Sequence, residues 1–169
     1  MIITAPGIDE VLNKCQNVTI ISSVDLRASF WQVGLHKESR KYCAFSVNGR
    51  CFEFCRVPYG LKVSQAALQA ALDPLIDKLP FVINFVDDFL IVSQSVDQHM
   101  QHLTQLFEIF IDYNLTSKFD KCRFALREAR FLGHIITPKG IQPQPEKIDI
   151  IKNFKRPKSQ TTAIVLRLY

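Results

Sequence analysis

No C-x-x-C pair occurs in this chain, and its five cysteines (Cys15, Cys43, Cys51, Cys55 and Cys122) are odd in number. Neither a disulfide framework nor a zinc knuckle is indicated, and a reducing compartment fits better. No stretch approaches the roughly 18 apolar residues that a membrane span requires. The N-terminus carries Asp9 and Glu10 and lacks an apolar core of signal-peptide length. The expected setting is therefore intracellular, with no membrane partner. No internal repeat, low-complexity tract or Gly/Ser-rich linker divides the chain, so one domain is the default.

What is present suits a folded domain. The 169 residues are 47% hydrophobic and 22% charged, enough to bury one sizeable core. The net charge of +5 suits a partner that carries phosphates, although most basic domains of this size bind no nucleic acid.

The pass along the chain predicts alternating elements. Apolar Ile8, Val11 and Leu12 sit at helical spacing in a short helix from Ile8 to Gln16, after a turn at Pro6-Gly7. Val18 to Leu26 is a nearly continuous β-branched run, the mark of a strand buried on both faces, and it leaves Asp25 at its end. Lys41 to Val47 and Cys51 to Val57 alternate in apolar character around Asn48-Gly49, a strong hairpin signal. Ser64 to Lys78 reads as a helix with Ser64 as N-cap and Pro80 just beyond its end.

Phe81 to Val86 and Phe89 to Val92 read as strands meeting at an acidic turn, Asp87-Asp88. Val96 to Tyr113 is an amphipathic helix with Leu103, Leu106, Phe107 and Phe110 along one face. His99 and His102 share that helix but lack a third ligand at metal-site spacing, so they read as surface residues. Strands at Cys122 to Leu126 and Phe131 to Ile136, a turn at Pro138-Lys139-Gly140 and a last helix from Pro145 to about Asn153 complete the pattern. Leaving the hairpin aside, this is the order of an α+β fold: a split β-α-β, ferredoxin-like antiparallel sheet with both helices on one face. That topology sets Asp25 beside Asp87 and Asp88.

Three carboxylates gathered in an apolar sheet repel one another and are costly to bury unless a cation compensates them. Magnesium suits such a place, because it prefers hard oxygen ligands and is usually held by one or two carboxylates together with substrate phosphates. Two ions about 4 Å apart can stabilise the attacking and leaving oxygens of an in-line phosphoryl displacement. Against this stands the bland reading. A lone Asp-Asp between apolar strands is by default a solvated turn, since Asp favours turns for its own local hydrogen bonds.

The intervening segments lift the functional reading. Ser23 to Val33, Ser39 to Phe45, Val57-Pro58-Tyr59-Gly60-Leu61-Lys62, Phe85-Val86-Asp87-Asp88 and Phe131-Leu132-Gly133-His134 resemble successive reverse transcriptase motifs in the right order. The likeness is to enzymes of gypsy-type long-terminal-repeat retrotransposons and runs from about Ile8 to Pro157. It implies a palm plus a partial fingers hairpin over 1–157, with the N-terminal fingers missing and a truncated tail at 158–169, as in a fragment of a longer polyprotein.

The resemblance implies further roles. Asp25, Asp87 and Asp88 would be the catalytic and metal-holding residues, serving two magnesium ions for which manganese could substitute. Phe85 stands where the family usually has Tyr. Phe30, Tyr59, Gly60 and Gln69 would meet the nucleotide, Phe30 by blocking a 2′-hydroxyl. Val63-Ser64-Gln65 replaces a typical Asn-Ala-Pro, and Leu68 replaces a typical Phe. Phe131, Leu132, Gly133 and His134 would grip the primer, and Lys121, with Lys118 as an equal candidate, could give a proton to the leaving pyrophosphate.

The implied partners are an RNA or DNA template with a DNA primer, deoxynucleoside triphosphates and other parts of a retroelement polyprotein, in the cytoplasm or in virus-like particles. Basic clusters at Lys118, Lys121, Arg123, Arg127 and Arg130, and at Lys152, Lys155, Arg156 and Lys158, could meet a phosphate backbone or simply be solvated. Two functional readings compete: a polymerase palm, and a catalytically silent nucleic-acid-binding fragment of a decayed element. A nucleotide cyclase on a similar sheet is disfavoured by the segments at Val57 to Lys62 and Phe131 to His134.

Overall fold

The β-branched run after Val18 forms strand β1, Ile20–Asp25, at the inside of a four-stranded antiparallel sheet. The computed structural model of the chain describes residue 11, residues 13–15 and residues 17–153. The expected helix from Ile8 to Gln16 lies largely outside these residues, and the tail at 158–169 lies wholly outside them.

After β1 come a single helical turn α1 (Ser29–Gln32), a 3-10 segment (Lys37–Cys43) and the hairpin β2 (Phe45–Val47) and β3 (Arg50–Phe52). Helix α2 (Ser64–Ile76), strands β4 (Val82–Phe85) and β5 (Asp88–Ser93) and helix α3 (Val96–Asp112) follow. A 3-10 turn (Phe119–Lys121) leads into β6 (Arg123–Leu126), then β7 (Ala129–Phe131), β8 (His134–Thr137), β9 (Gly140–Pro143) and helix α4 (Pro145–Lys152). The main sheet runs β4-β5-β1-β6, the strand order of a split β-α-β fold.

The period-2 alternation of strands divides the core. On one face Val24, Val82, Phe89 and Ile91 pack with Leu68, Leu72 and Ile76 of α2 and with Leu106 and Phe110 of α3. On the other, Ile21, Ile83, Leu90 and Val92 meet Ala129, Phe131 and Ile136 of the small sheet β7-β8-β9. Both helices thus cover one face, as the pattern predicts. Leu68, Leu72 and Leu106 are at most 1% exposed, so truncating any of them to alanine should cost about 2–5 kcal/mol.

Several local expectations need correction. Ser64 is not the cap of α2; Val63 holds that position, and the Ser64 hydroxyl is buried and donates to the Pro58 carbonyl at 2.6 Å. The hairpin strands are shorter than their alternation suggests, because Lys41 to Cys43 wind into the 3-10 segment. Phe131 to Ile136 is not one strand. Leu132 (φ 49°) and Gly133 (φ 76°) both take left-handed backbone and form a two-residue turn between β7 and β8, with Phe131 paired to His134.

The β2–β3 hairpin is fastened to the body by main-chain bonds and aromatic rings. Leu35 N–H donates to Cys55 O and Val57 N–H to Val33 O, each at 3.0 Å. A chain of rings, Phe45 to Phe54 (4.9 Å between centroids), Phe54 to Trp31 (5.5 Å), Trp31 to Tyr59 (6.0 Å) and Tyr59 to Phe30 (4.9 Å), links it to α1. Among the described residues no helix is long and apolar enough to cross a membrane.

Candidate active site

Antiparallel pairing of β1 with β5 sets Asp25 directly opposite Asp88 in the ladder. Residues so paired have Cβ atoms about 4.5–5.5 Å apart. Phe85 pairs with Asp88 in the β4–β5 hairpin, so Val86 and Asp87 form a two-residue turn and Asp88 is the first residue of β5. Val86 takes a left-handed backbone (φ 59°), a strained conformation for a β-branched side chain.

Gln69 of α2 holds that turn. Its Oε1 accepts the Val86 N–H at 2.9 Å, and its Nε2 donates to Asn84 Oδ1 at 2.9 Å and to Asp73 Oδ1. The Asp87 carbonyl accepts the Leu26 N–H at 3.3 Å, tying the turn to the end of β1.

Two clefts meet at Asp25. One, of about 370 Å³, is lined by Asp25, Asp88, Lys121, Arg123, Arg130 and the Phe131-Leu132-Gly133 turn. The other, of about 710 Å³, is lined by Asp25, Asp87, Arg27, Tyr59, Lys118 and Lys121. Asp25 and Lys121 therefore belong to both, while Asp88 opens to one cleft and Asp87 to the other.

The charges are unevenly compensated. Lys121 Nζ lies 3.5 Å from Asp25 Oδ2, whereas Lys118 Nζ pairs with Asp120 at 3.7 Å. The 3-10 turn separates the two lysines' directions. Partial desolvation, then the nearby charges of Asp87 and Asp25, push the Asp88 carboxyl above the ordinary carboxylate range, with Lys121 acting weakly the other way. Asp88 is exposed as a residue, so what desolvation it feels falls on a carboxyl still reached by water.

Among the described residues no three carboxylate, imidazole or thiolate groups converge into a ready-made metal cage. The donor set still fits a hard divalent ion. Such ions retain water and draw on substrate phosphates, so an open pair of facing carboxylates is the protein contribution they need.

Not every expected site residue reaches a cleft wall. Phe30 is half-buried and packs edge-on against Tyr59 at 4.9 Å. Gly60 is exposed with φ 88°, Gln69 serves the turn, and His134 Nδ1 lies 3.1 Å from the Leu132 carbonyl. Other residues at the site went unpredicted as contributors: Asn84, Gln144 beside the smaller cleft, and Gln32, whose amide grips the loop before Lys118. Arg130 lines the smaller cleft but is ion-paired with Glu146 at 3.1 Å.

With this geometry the chain defines an acid-lined palm sheet, and the comparisons give its family. It belongs to the reverse transcriptase (RNA-dependent DNA polymerase) family, whose model matches residues 3–136. It is 35% identical over 156 residues to the retrovirus-related Pol polyprotein from transposon 297 of Drosophila melanogaster, covering 90% of this chain and 14% of that polyprotein. Identity to the corresponding polyprotein from transposon gypsy of the same fly is 31%, over 90% of this chain and 15% of the relative. The chain thus spans about one seventh of these relatives.

Among solved structures, the foamy viral protease-reverse transcriptase in complex with an RNA/DNA hybrid superposes with a TM-score of 0.78 at 25% identity, over 96% of this chain and 22% of that one. A complex of the same kind of viral enzyme with double-stranded DNA gives 0.83 at 24% identity, over 98% and 29%, a likeness of fold.

Proposed function

We propose that this chain is the palm, with a partial fingers hairpin, of an RNA-directed DNA polymerase, and that residues 1–157 form that unit. It would add deoxynucleotides to a DNA primer on an RNA or DNA template. The observation that carries the reading is the pairing of Asp25 with Asp88 at the junction of two clefts, with Asp87 in the adjoining turn.

In this reading Asp25, Asp87 and Asp88 hold two magnesium ions, or manganese in their place, which would supply positive charge to the attacking and leaving oxygens of an in-line displacement. The protein's own residues do the rest. Phe131-Leu132-Gly133, on the cleft shared by Asp25 and Asp88, hold the primer end, with His134 fixing the turn through the Leu132 carbonyl. Tyr59 lines the larger cleft on the Asp87 side, where the incoming nucleotide would lie, and Phe30 behind it would crowd a 2′-hydroxyl.

Gly60 would let the backbone approach, and Gln69 keeps the acidic turn in place. Lys121 is better placed than Lys118 to give a proton to the leaving pyrophosphate, because its ammonium already reaches Asp25. Such chemistry depends on positioning and preorganised charge more than on covalent steps. The other parts of a retroelement polyprotein would be the natural partners.

Primer extension on an RNA template with magnesium or manganese, comparing the chain with Asp87→Asn/Asp88→Asn, tests the reading. Extension lost in the double variant supports it. No extension from the parent chain, with salt-sensitive binding to primer-template retained, would replace it with a silent nucleic-acid-binding fragment.

A further inference from the structure

Gln32 closes the helical turn that carries Phe30, and its side-chain amide is used at both ends. Nε2 donates to the carbonyls of Arg27 at 2.6 Å and Thr116 at 2.9 Å, while Oε1 accepts the Thr116 N–H at 2.7 Å. A side chain here pairs with a main-chain residue as one strand residue pairs with another. The main chain extends the seam: Arg27 N–H donates to Thr116 O at 2.9 Å, Leu26 bridges Ser117, and Lys118 N–H donates to Asp25 O at 2.8 Å. The Gln32 carbonyl in turn accepts Arg56 Nη1 at 2.9 Å, which anchors it toward the hairpin.

We propose that Gln32 is a positioning residue: by bracing Thr116 it sets the lysine loop on β1 and so places Lys121 against Asp25. The segment from the end of α3 to the 3-10 turn at Phe119 has no element of its own to hold it. The Lys121–Asp25 ion pair cannot do so, because the lysine side chain is 57% exposed and water screens such pairs. The backbone seam must fix the loop, and Gln32 is the side chain that bonds both the N–H and the carbonyl of Thr116.

The consequence for chemistry rests on the polymerase reading. There the primer 3′ oxygen bonds to the α-phosphorus and gives its proton to water. The bond from that phosphorus to the bridging oxygen breaks, and Lys121 protonates the leaving oxygen before taking a proton back from water. Gln32 then links the turn that carries Phe30 to the loop that delivers this proton.

Two readouts on the full chain test this. Amide hydrogen exchange in Gln32→Leu should quicken about tenfold or more at Thr116 and Lys118 while the β5 amides keep their protection. Gln32→Glu keeps the acceptor for the Thr116 N–H, so it should recover part of that amide's protection; it carries the decision if Gln32→Leu loses protection throughout. In primer extension, Gln32→Leu should lower kcat with little change in the KM for the nucleotide, as Lys121→Ala does, and the double variant should be no slower than Lys121→Ala within about twofold.

Unchanged exchange at Thr116 and Lys118, no recovery in Gln32→Glu, or a double variant that loses the product of both effects would overturn the proposal. If the parent chain extends no primer, the polymerase reading fails, and the exchange result alone decides whether Gln32 is the brace.

Discussion

Asp25 and Asp88 face each other across β1 and β5, each at the end of its strand where the ladder runs out into the clefts. Paired like charges weaken a sheet. Desolvation and the neighbouring Asp87 and Asp25 charges raise the Asp88 carboxyl above its unfolded value. The folded state therefore favours the protonated acid, and stability is lost as pH rises through the ordinary carboxylate range. Asp88→Asn should raise the melting temperature at pH 7 while reducing primer extension by about 100-fold or more, the scale of losing a preorganised electrostatic contact. A thermal melt beside an extension assay checks both, and a variant that melts lower would refute the repulsion argument.

Gln69→Leu should act through the turn. It removes the acceptor for the Val86 N–H and leaves that donor half-buried and unsatisfied, a loss of about 1–3 kcal/mol. Because Val86 has a strained backbone, the turn is expected to relax and displace Asp87, so extension should fall more than the stability loss accounts for at a temperature where the variant stays folded. Urea titration paired with extension rates would show equal losses if Gln69 were only structural.

Phe30→Val should relax sugar discrimination. The ring is held edge-on by Tyr59, and shortening it opens the space beside the larger cleft. Incorporation of ribonucleotides relative to deoxynucleotides should rise by about 10- to 200-fold, the range that a change of apolar bulk in a pocket can give. Competitive incorporation measures the ratio; an unchanged ratio would place the gate elsewhere.

His99 makes the fold acid-sensitive. Ser22 Oγ, which accepts the Ala125 N–H at 3.0 Å, lies 2.7 Å from His99 Nε2, and Ser93 Oγ lies 2.8 Å from His99 Nδ1. The imidazole is thereby held buried between two hydroxyls. Desolvation, and then the charge of His102, lower its proton affinity. The unfolded chain binds the extra proton near the ordinary value of about 6.5, so stability present above that pH is lost as pH falls through it. His99→Phe should cost about 1–3 kcal/mol at pH 7.5, from the orphaned serine hydroxyls, yet lose less than the parent between pH 7.5 and 5.5 in urea melts.

The sheet order and the meeting of Asp25 with the acidic turn were legible, because buried strands and amphipathic helices write their periods into the sequence. So was the Asn48-Gly49 hairpin, whose residues tolerate left-handed backbone. The Leu132-Gly133 turn was not, since leucine signals a strand and only the paired register of Phe131 with His134 reveals the bend. His99 and His102 read as surface residues, yet His99 is buried in a serine network, which needs the fold to bring Ser22 and Ser93 together. The choice between Lys118 and Lys121 was open for the same reason: one 3-10 turn decides which ammonium reaches Asp25. Amides such as Gln32 and Gln69 have no periodicity, and their partners lie far along the chain.

The Val86-Asp87 turn holds two residues, and the strand that follows alternates its sides with each position. One inserted or deleted codon there would carry Asp88 to the opposite side of the sheet, into the packing of α2 and α3, and take Phe89 out of that packing. Among copies of such an element, working ones should thus hardly differ at all in the count of letters between Phe85 and Phe89. A survey of indels across copies would find this short interval the quietest stretch of the gene, whatever its substitution rate.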